Sequence, residues 1–477
     1  MSTQKAAGGW VLTLTAIGSL MVALDTLVVS TALSTIRVDL GASIEQLEWT
    51  VNAYNLSFAV LLMTATALGD RYGRRRMFAT GLGVFALASA GCALAPDVGW
   101  LIAARAVQGA GAALVMPLGL AILTAAFPPE RRGTAIGIFS AITGLAVASG
   151  PFVGGAVVEG VNWAWIFWLN VPIGLVAVPL VLRKLDESFG GRAALDVGGL
   201  LLVTGAALGI VWGLVRGNSA GWDSAEVTVA LALGVLLVLA FVAWELRAKA
   251  PMVPMRLFRS RAFSAGNAAA FFVIASLFGA VFFSAQLMQT GLGYGPLDAG
   301  LRLLPWTCTF MLVAPVAGAL ADRIGERPLM VAGLLVQAGG LAWIALTVEP
   351  GVAYGRLVVP FVVAGVGVSM AIPAAQNSVV GSLPPESLGK AAGTNSMMRE
   401  LGGVFGVAVL VAVFAAAGGY ASATEFMDGV APAFGVAAGL SLVGAAIGLG
   451  LPGRVSAADA APPLAVPVFE ADGDGTA

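Results

Sequence analysis

The chain has 477 residues, of which 58% are hydrophobic and 11% charged, with a formal net charge of -1. Ordinary globular domains carry about 25% charge to cover their surface, so most of this surface must face lipid. The near-zero charge excludes a basic nucleic-acid face; the lack of histidine removes the commonest metal ligand and the usual near-neutral proton base; Cys92 and Cys308 lie far apart in apolar stretches and read as packing residues.

A helix needs about 20 apolar residues to cross the hydrocarbon core. Fourteen continuous runs meet that length, at about 10–34, 48–68, 77–95, 100–126, 134–157, 164–182, 196–215, 226–244, 264–288, 298–319, 329–347, 357–382, 391–416 and 430–450. They do not alternate with period two, so an all-α integral membrane bundle is expected and not a barrel. The first run is too long for a cleavable signal segment and stays as a helix. Lys and Arg crowd one set of loops, with Arg71, Arg74, Arg75, Arg76, Arg131, Arg132, Arg183, Lys184, Arg247, Lys249 and Lys390, whereas Arg37, Arg216 and Arg356 fall on the other side. By the positive-inside rule both termini are cytoplasmic.

Ionisable groups inside such spans are costly and by default functional. Asp25 lies about fifteen residues along the first span, roughly 22 Å up at 1.5 Å per residue and just past the midplane. Arg105, near the outer start of the fourth span, has a stem long enough to reach the same depth, so the two are expected within hydrogen-bond reach. Burial favours the neutral acid and the guanidinium favours the anion, so a cationic substrate or a movement of Arg105 could load or release a proton. The competing role is a permanent structural ion pair. Glu400 lies about ten residues into the thirteenth span, near the midplane. It is either a proton or cation site or the neutralised partner of Arg399, although adjacent residues point about 100° apart on a helix. The two inserted spans at 196–215 and 226–244 carry no buried charge and are expected to be peripheral.

The chain also repeats itself. Residues 115–137 align without gaps to 371–393, pairing Pro117 with Pro373 and Gly133 with Gly389, and TALGDRYGRRR (66–76) aligns to GALADRIGERP (318–328). The repeat unit is six spans, giving an amino-terminal half over 1–183, two inserted helices with linkers over 184–262, a carboxyl-terminal half over 263–452 and a disordered tail over 453–477. Equivalent loops face the same side, so the halves are related by an axis along the membrane normal and enclose a central cavity. Candidate lining residues are Asn52, Tyr54 and Asn55 on the second span, Gln286 and Gln289 near the end of the ninth, Trp306 on the tenth and Asn395 on the thirteenth, with interhelical packing as the competing role of each.

These residues carry a family resemblance over nearly all of 10–450. ALDTLVVSTAL (23–33), LEWTVNAYNL (47–56), TALGDRYGRRR, RAVQGAGAA (105–113), SGPFVGG (149–155), WAWIFWLNVPIG (163–174) and WELRAKAPMVPMRLFRSRAF (244–263) together resemble the fourteen-helix drug:proton antiporters of the major facilitator superfamily. Thr66, Ala146 and Ala164 depart from the family's usual Gly, Gly and Arg. The resemblance implies the major facilitator fold, with proton coupling through Asp25, Arg105 and Glu400. It implies a conformational gate at Asp70, Arg71, Gly73 and Arg74 and at Asp322, Arg323 and Gly325, whose charge pairs break when the cavity opens inward, and helix bending at Gly150 and Pro151. The expected activity is proton-driven export of a lipophilic drug or antibiotic, cationic ones included, by a monomer in a bacterial inner membrane. No cofactor or metal and no nucleic-acid partner is expected; the partners are substrate, protons and the lipid bilayer. Export of a lipid or a self-made secondary metabolite would use the same scaffold. A membrane-embedded enzyme or receptor is the reading from a different class, and no GxxxxGK[ST] sequence suggests ATP as the fuel.

Overall fold

The computed structural model describes residues 2–190, 195–380 and 388–452. The expected tail at 453–477 and the Pro384–Pro385 part of the repeat lie outside the described residues. Fifteen α-helices follow in chain order among the described residues: α1 (Ser2–Leu40), α2 (Ile44–Tyr72), α3 (Arg74–Ala93), α4 (Val98–Ala126), α5 (Pro129–Gly160), α6 (Trp165–Trp168), α7 (Asn170–Lys184), α8 (Val197–Ala220), α9 (Ala225–Glu245), α10 (Arg261–Gln286), α11 (Pro296–Ile324), α12 (Glu326–Thr347), α13 (Gly355–Val380), α14 (Leu388–Ala417) and α15 (Ala423–Gly448). The pair α6 and α7 makes one span, so 14 helical segments are long and apolar enough to cross a membrane.

Polar caps define where several of these helices begin. Ser43 and Gln46 form a reciprocal capping box at α2, and Asp97, Ser224, Ser260 and Ser422 each accept from the third helical N–H of α4, α9, α10 and α15. The duplicated loop sequence folds the same way twice. Gly73 between α2 and α3 has φ +105°, and Gly325 between α11 and α12 has φ +90°, a region that side chains with a Cβ avoid.

Helices α1–α7 pack as one bundle and α10–α15 as another. The bundles meet along two seams, α5 against α11 and α2 against α14. At the first seam Gly155 lies beside Pro296 and Gly300 beside Pro151; a Cβ at Gly155 would fall 2.8 Å from Leu297 Cα. Glycine there lets two backbones touch, the packing mode that membrane helices use in place of a hydrophobic drive. Gln289 donates to the Thr31 carbonyl (2.8 Å), Leu297 N–H donates to Glu159 (2.9 Å), and Arg37 stacks 4.3 Å above Tyr420, all at the Gly160 end. The α5/α11 seam runs as far as Gly144 beside Phe310; further along, Leu312 is 72% and Val316 65% exposed. The molecule is thus sealed at the Gly160 end; towards the end that carries Arg74 and Arg132 the α5/α11 contacts thin out, while α2 and α14 still touch at Met63 and Gly393.

The inserted helices differ from expectation in two respects. The outer face of α9 is exposed, but α8 lies against the α2/α14 seam and touches both bundles. Trp212 packs 6.0 Å from Trp49, Arg216 pairs with Glu45 at 3.2 Å, and Asn218 donates to the Ala412 carbonyl at 2.5 Å. Nor is the insert free of buried charge: Glu245, one residue past the span drawn at 226–244, is 3% exposed because the following loop folds over it and Val253 N–H donates to its carboxylate at 3.0 Å. Beside it, Asp196 caps α8, accepting from Gly199 N–H (2.7 Å), the Trp244 indole (2.8 Å) and Met252 N–H (3.2 Å). Partial burial pushes this carboxyl up, but the donors together hold it below its ordinary range. A lowered folded pKa stabilises at neutral pH and is lost as pH falls through that value. Asp196→Ala is therefore expected to cost about 1 kcal/mol at pH 7. In detergent melting curves the gap from the unsubstituted protein closes as pH is taken below about 4.

Candidate functional site: a buried acid network beside the seam

Asp25 on α1 and Arg105 on α4 have side chains only 1% exposed, and Oδ2 of the acid receives Nη1 of the arginine at 2.5 Å. The approach depends on the RAVQGAGAA sequence. Arg105 and Gln108 share one face of α4, while Gly109 lets that helix close on α2: a Cβ there would fall 3.0 Å from the Tyr54 carbonyl carbon. Arg105 Nε then reaches the Thr50 carbonyl at 3.2 Å, and its guanidinium lies 4.2 Å above the Tyr54 ring.

The second carboxylate oxygen is also satisfied. Gln108 Nε2 donates to Oδ1 at 2.8 Å and Asn170 Nδ2 at 3.2 Å, while Gln108 Oε1 accepts from Arg105 at 2.7 Å. Both amides also donate to Ser89 Oγ, at 3.3 and 3.0 Å, and Ser89 donates to the Phe167 carbonyl at 2.8 Å. A buried ion pair is tolerable only when its remaining donors and acceptors are filled in this way. The network ties α1, α2, α3, α4 and α7 together at membrane depth, away from acyl chains. Gln108, Asn170 and Ser89 carry no charge, so no intramembrane-charge signal marks them; Gln108 and Asn170 stand within the RAVQGAGAA and WAWIFWLNVPIG motifs, and Ser89 stands in none.

Glu400 stands on α14 across the seam, and its charge is within coulombic reach of Tyr54. Among the described residues it makes no ion pair with Arg399, whose buried Nε has no protein partner. The other expected lining residues are dispersed. Asn52 and Asn55 are buried on α2, and Tyr54 lies beneath Arg105. Gln286 donates to the Phe282 carbonyl (2.8 Å) and accepts from Tyr420, Gln289 closes the seam, Trp306 stacks on Phe361 at 5.5 Å, and Asn395 donates to Asn267 (3.2 Å).

In the loop motif Asp70 pairs with Arg74 at 2.7 Å, within its own bundle. The segment after α7 docks on this turn: Gly190 N–H donates to the Asp70 carbonyl (3.2 Å), and Glu187 accepts from Arg75 N–H (2.8 Å) while lying 3.5 Å from Arg76. Glu187 is a fourth residue that sequence reasoning missed. Arg71 lies 5.4 Å from the Tyr72 ring. The Asp322 side chain lies outside the described residues, and Arg323 flanks the second positive-φ glycine, Gly325. Gly150 and Pro151 sit where α5 touches both partners: a Cβ on Gly150 would fall 2.7 Å from Leu27 of α1, and the Pro151 carbonyl faces Gly300 of α11.

A bundle of two similar halves, sealed at one end and holding a charged network at membrane depth, defines a transporter-like membrane protein. Residues 15–407 and 268–466 match the Major Facilitator Superfamily, and the chain belongs to that family. It is 36% identical to the tetracenomycin C resistance and export protein of Streptomyces glaucescens over 83% of this chain and 74% of the relative. It is 35% identical to a methylenomycin A resistance protein of Streptomyces coelicolor over 84% of each chain, and 34% identical to the multidrug resistance protein Stp of Mycobacterium tuberculosis over 84% of this chain and 75% of that one. Among solved structures, a peptide transporter POT in complex with sulfate has a similar fold, with TM-score 0.69, 17% identity and 93% of each chain covered.

Proposed function

We propose that the protein exports lipophilic antibiotics or drugs, cationic ones included, in exchange for protons by alternating access. The observation that carries this reading is the buried Asp25–Arg105 network beside the inter-bundle seam, in a chain whose relatives are named for antibiotic resistance and export. The halves at 1–183 and 263–452 rock about the two seams. The open end, crowded with Arg74, Arg75, Arg76, Arg131 and Arg132, faces the cytoplasm together with both termini, as the positive-inside rule requires. In that state substrate enters between the halves from the cytoplasm. Opening at the Gly160 end releases it and exposes Asp25 to a proton from outside; return to the present state delivers that proton inwards. A monomer in a bacterial inner membrane suffices for this cycle. The word export in a relative's name equally favours expulsion of a metabolite the cell itself makes.

Inside-out vesicles test the reading. Respiration acidifies their interior, and adding a substrate is expected to raise the internal pH as protons leave in exchange for drug. Drug uptake that depends on ATP and leaves the pH gradient unchanged would overturn it.

A further inference from the structure

The acid network occupies one side of α2; the opposite side carries a second polar group. Glu48, Asn52 and Asn55 recur every three or four residues and therefore form one stripe. Glu48 and Asn52 are 0% exposed and Asn55 is 1% exposed. Asn52 Nδ2 donates to Glu48 Oε1 at 3.1 Å. Glu48 Oε2, Asn52 Oδ1 and Asn55 Nδ2 have no protein partner. Each such orphan costs about 1–3 kcal/mol, more for a charged group, so a buried stripe holding three of them requires an explanation.

The surrounding charges do not supply one. From α1, Asp25 is bound by Arg105 and Arg37 stacks on Tyr420; from α4, Arg105 is committed to Asp25, Gln108 and Thr50. From α8, Arg216 pairs with Glu45 and Glu226. On α14, Arg399 and Glu400 come level with the inner end of the stripe, since the antiparallel pairing that sets Met63 beside Gly393 brings residue 400 level with residue 56, about 12 Å below Glu48 at 1.5 Å per residue. Helices α3 and α10 bear their arginines at the far end. The nearest acid with an electrostatic effect on Glu48 is Glu45, one turn outward.

The stripe lies on the side of α2 away from α4. Leu56 and Val60, about a quarter to a third of a turn further round α2, pack with Met397, Val404 and Ala408 of α14 and with valines of α8, whereas Thr50 and Tyr54 point back to α4 and α1. At the first turn of α2 a cavity of about 460 Å³ opens, bounded by Arg37, Ser43, Glu45, Asn218, Ala412 and Tyr420. Parting of α2 from α14 at this end would connect the stripe to that cavity.

We propose that Glu48, Asn52 and Asn55 form a second binding site, open only when the Gly160 end opens, that takes the N–H donors of an organic cation on its way out. This rests on the export reading above. Glu48 Oε2 and Asn52 Oδ1 are two free acceptors, one of them anionic when ionised, and a protonated amine or amidine offers the donors both lack. A neutral donor fills them without the charge-assisted gain. While the end is shut, the Asn52 amide is the donor that this carboxyl has among the described residues.

The test compares ethidium, a lipophilic cation with amino groups, with neutral chloramphenicol in cells and inside-out vesicles carrying the full chain. Glu48→Gln keeps the shape and removes the charge; it is expected to lower kcat/KM for ethidium by about ten-fold or more, the value of one charge-assisted hydrogen bond, and to leave chloramphenicol within about two-fold. Glu48→Asp is expected to recover part of the ethidium activity. Equal effects on both compounds, or none on either, overturn the site. So does an unsubstituted protein that exports chloramphenicol with proton exchange but never ethidium, and in that case the export reading stands. Absence of proton-coupled export of either compound sinks the export reading, and the site falls with it.

Discussion

Asp25→Asn is expected to abolish uphill export, with pH-gradient-driven transport falling about 100-fold or more, the scale set by losing about 2.7 kcal/mol from the rate-determining barrier. Asparagine retains the size of the acid and still accepts from Gln108 and Asn170, whose amides lie 2.8 and 3.2 Å from Oδ1. What it cannot do is bind and release a proton. In place of Oδ2, however, its NH2 meets Arg105 Nη1 donor to donor, so the buried guanidinium loses its anion and some stability is lost together with transport. Downhill movement of substrate, which requires no proton, is expected to persist. The readouts are substrate-induced pH recovery in inside-out vesicles, which should vanish, and drug resistance in a pump-deficient host, which should drop to that of cells without the gene. A variant that still exchanges protons for substrate would reduce Asp25 to an anchor for Arg105.

The arginine gives the larger effect on stability. Arg105→Gln leaves a carboxylate that is 1% exposed without its cation, and breaking a buried pair from one side costs about 3–5 kcal/mol. Thermal unfolding in detergent should register this as a large drop in Tm. The double variant Asp25→Asn with Arg105→Gln removes both charges together, and most of the lost stability is expected to return while transport does not. Arg105→Lys should fall between, because an ammonium keeps the charge but not the fork that reaches Asp25, Gln108 and the Thr50 carbonyl together. If the double variant is as unstable as the single, the damage comes from lost packing against Tyr54 and not from an orphaned charge.

How much of this was legible in the sequence follows from the physics of lipid. Apolar length marks spans unambiguously, so all fourteen are found, and the duplicated loop glycines announce the two-fold plan. Charges at membrane depth stand out for the same reason, which is why Asp25 and Arg105 could be paired before any geometry was known. Gln108, Asn170 and Ser89 could not, since an uncharged side chain in a spanning helix is as readily a packing group, and only proximity shows that two of them donate to one carboxylate while the third accepts from both. Glu48 carries no such mark because a position one turn from a helix start looks interfacial; its complete burial is a tertiary effect that no local pattern records. Glu187 sits in a loop, and its partners Arg75 and Arg76 lie more than a hundred residues away. The dispersal of Gln286, Gln289, Trp306 and Asn395 has the same origin: their spans were assigned, but the rotation of each helix about its axis was not.

The placement of α8 has a mechanical corollary. It is fastened to α2 by the Arg216–Glu45 pair and the Trp212–Trp49 contact, and to α14 by the Asn218 amide on the Ala412 carbonyl and by an apolar cluster that joins Val203, Val211 and Val215 to Met397, Val404 and Ala408. When α2 and α14 separate at that end, both attachments cannot survive intact. The hairpin is moored at its start to the amino-terminal half through the Glu187 loop and at its end to α14 through Lys390 on the Pro251 carbonyl, so it would act as a tether that limits how far the two halves swing apart.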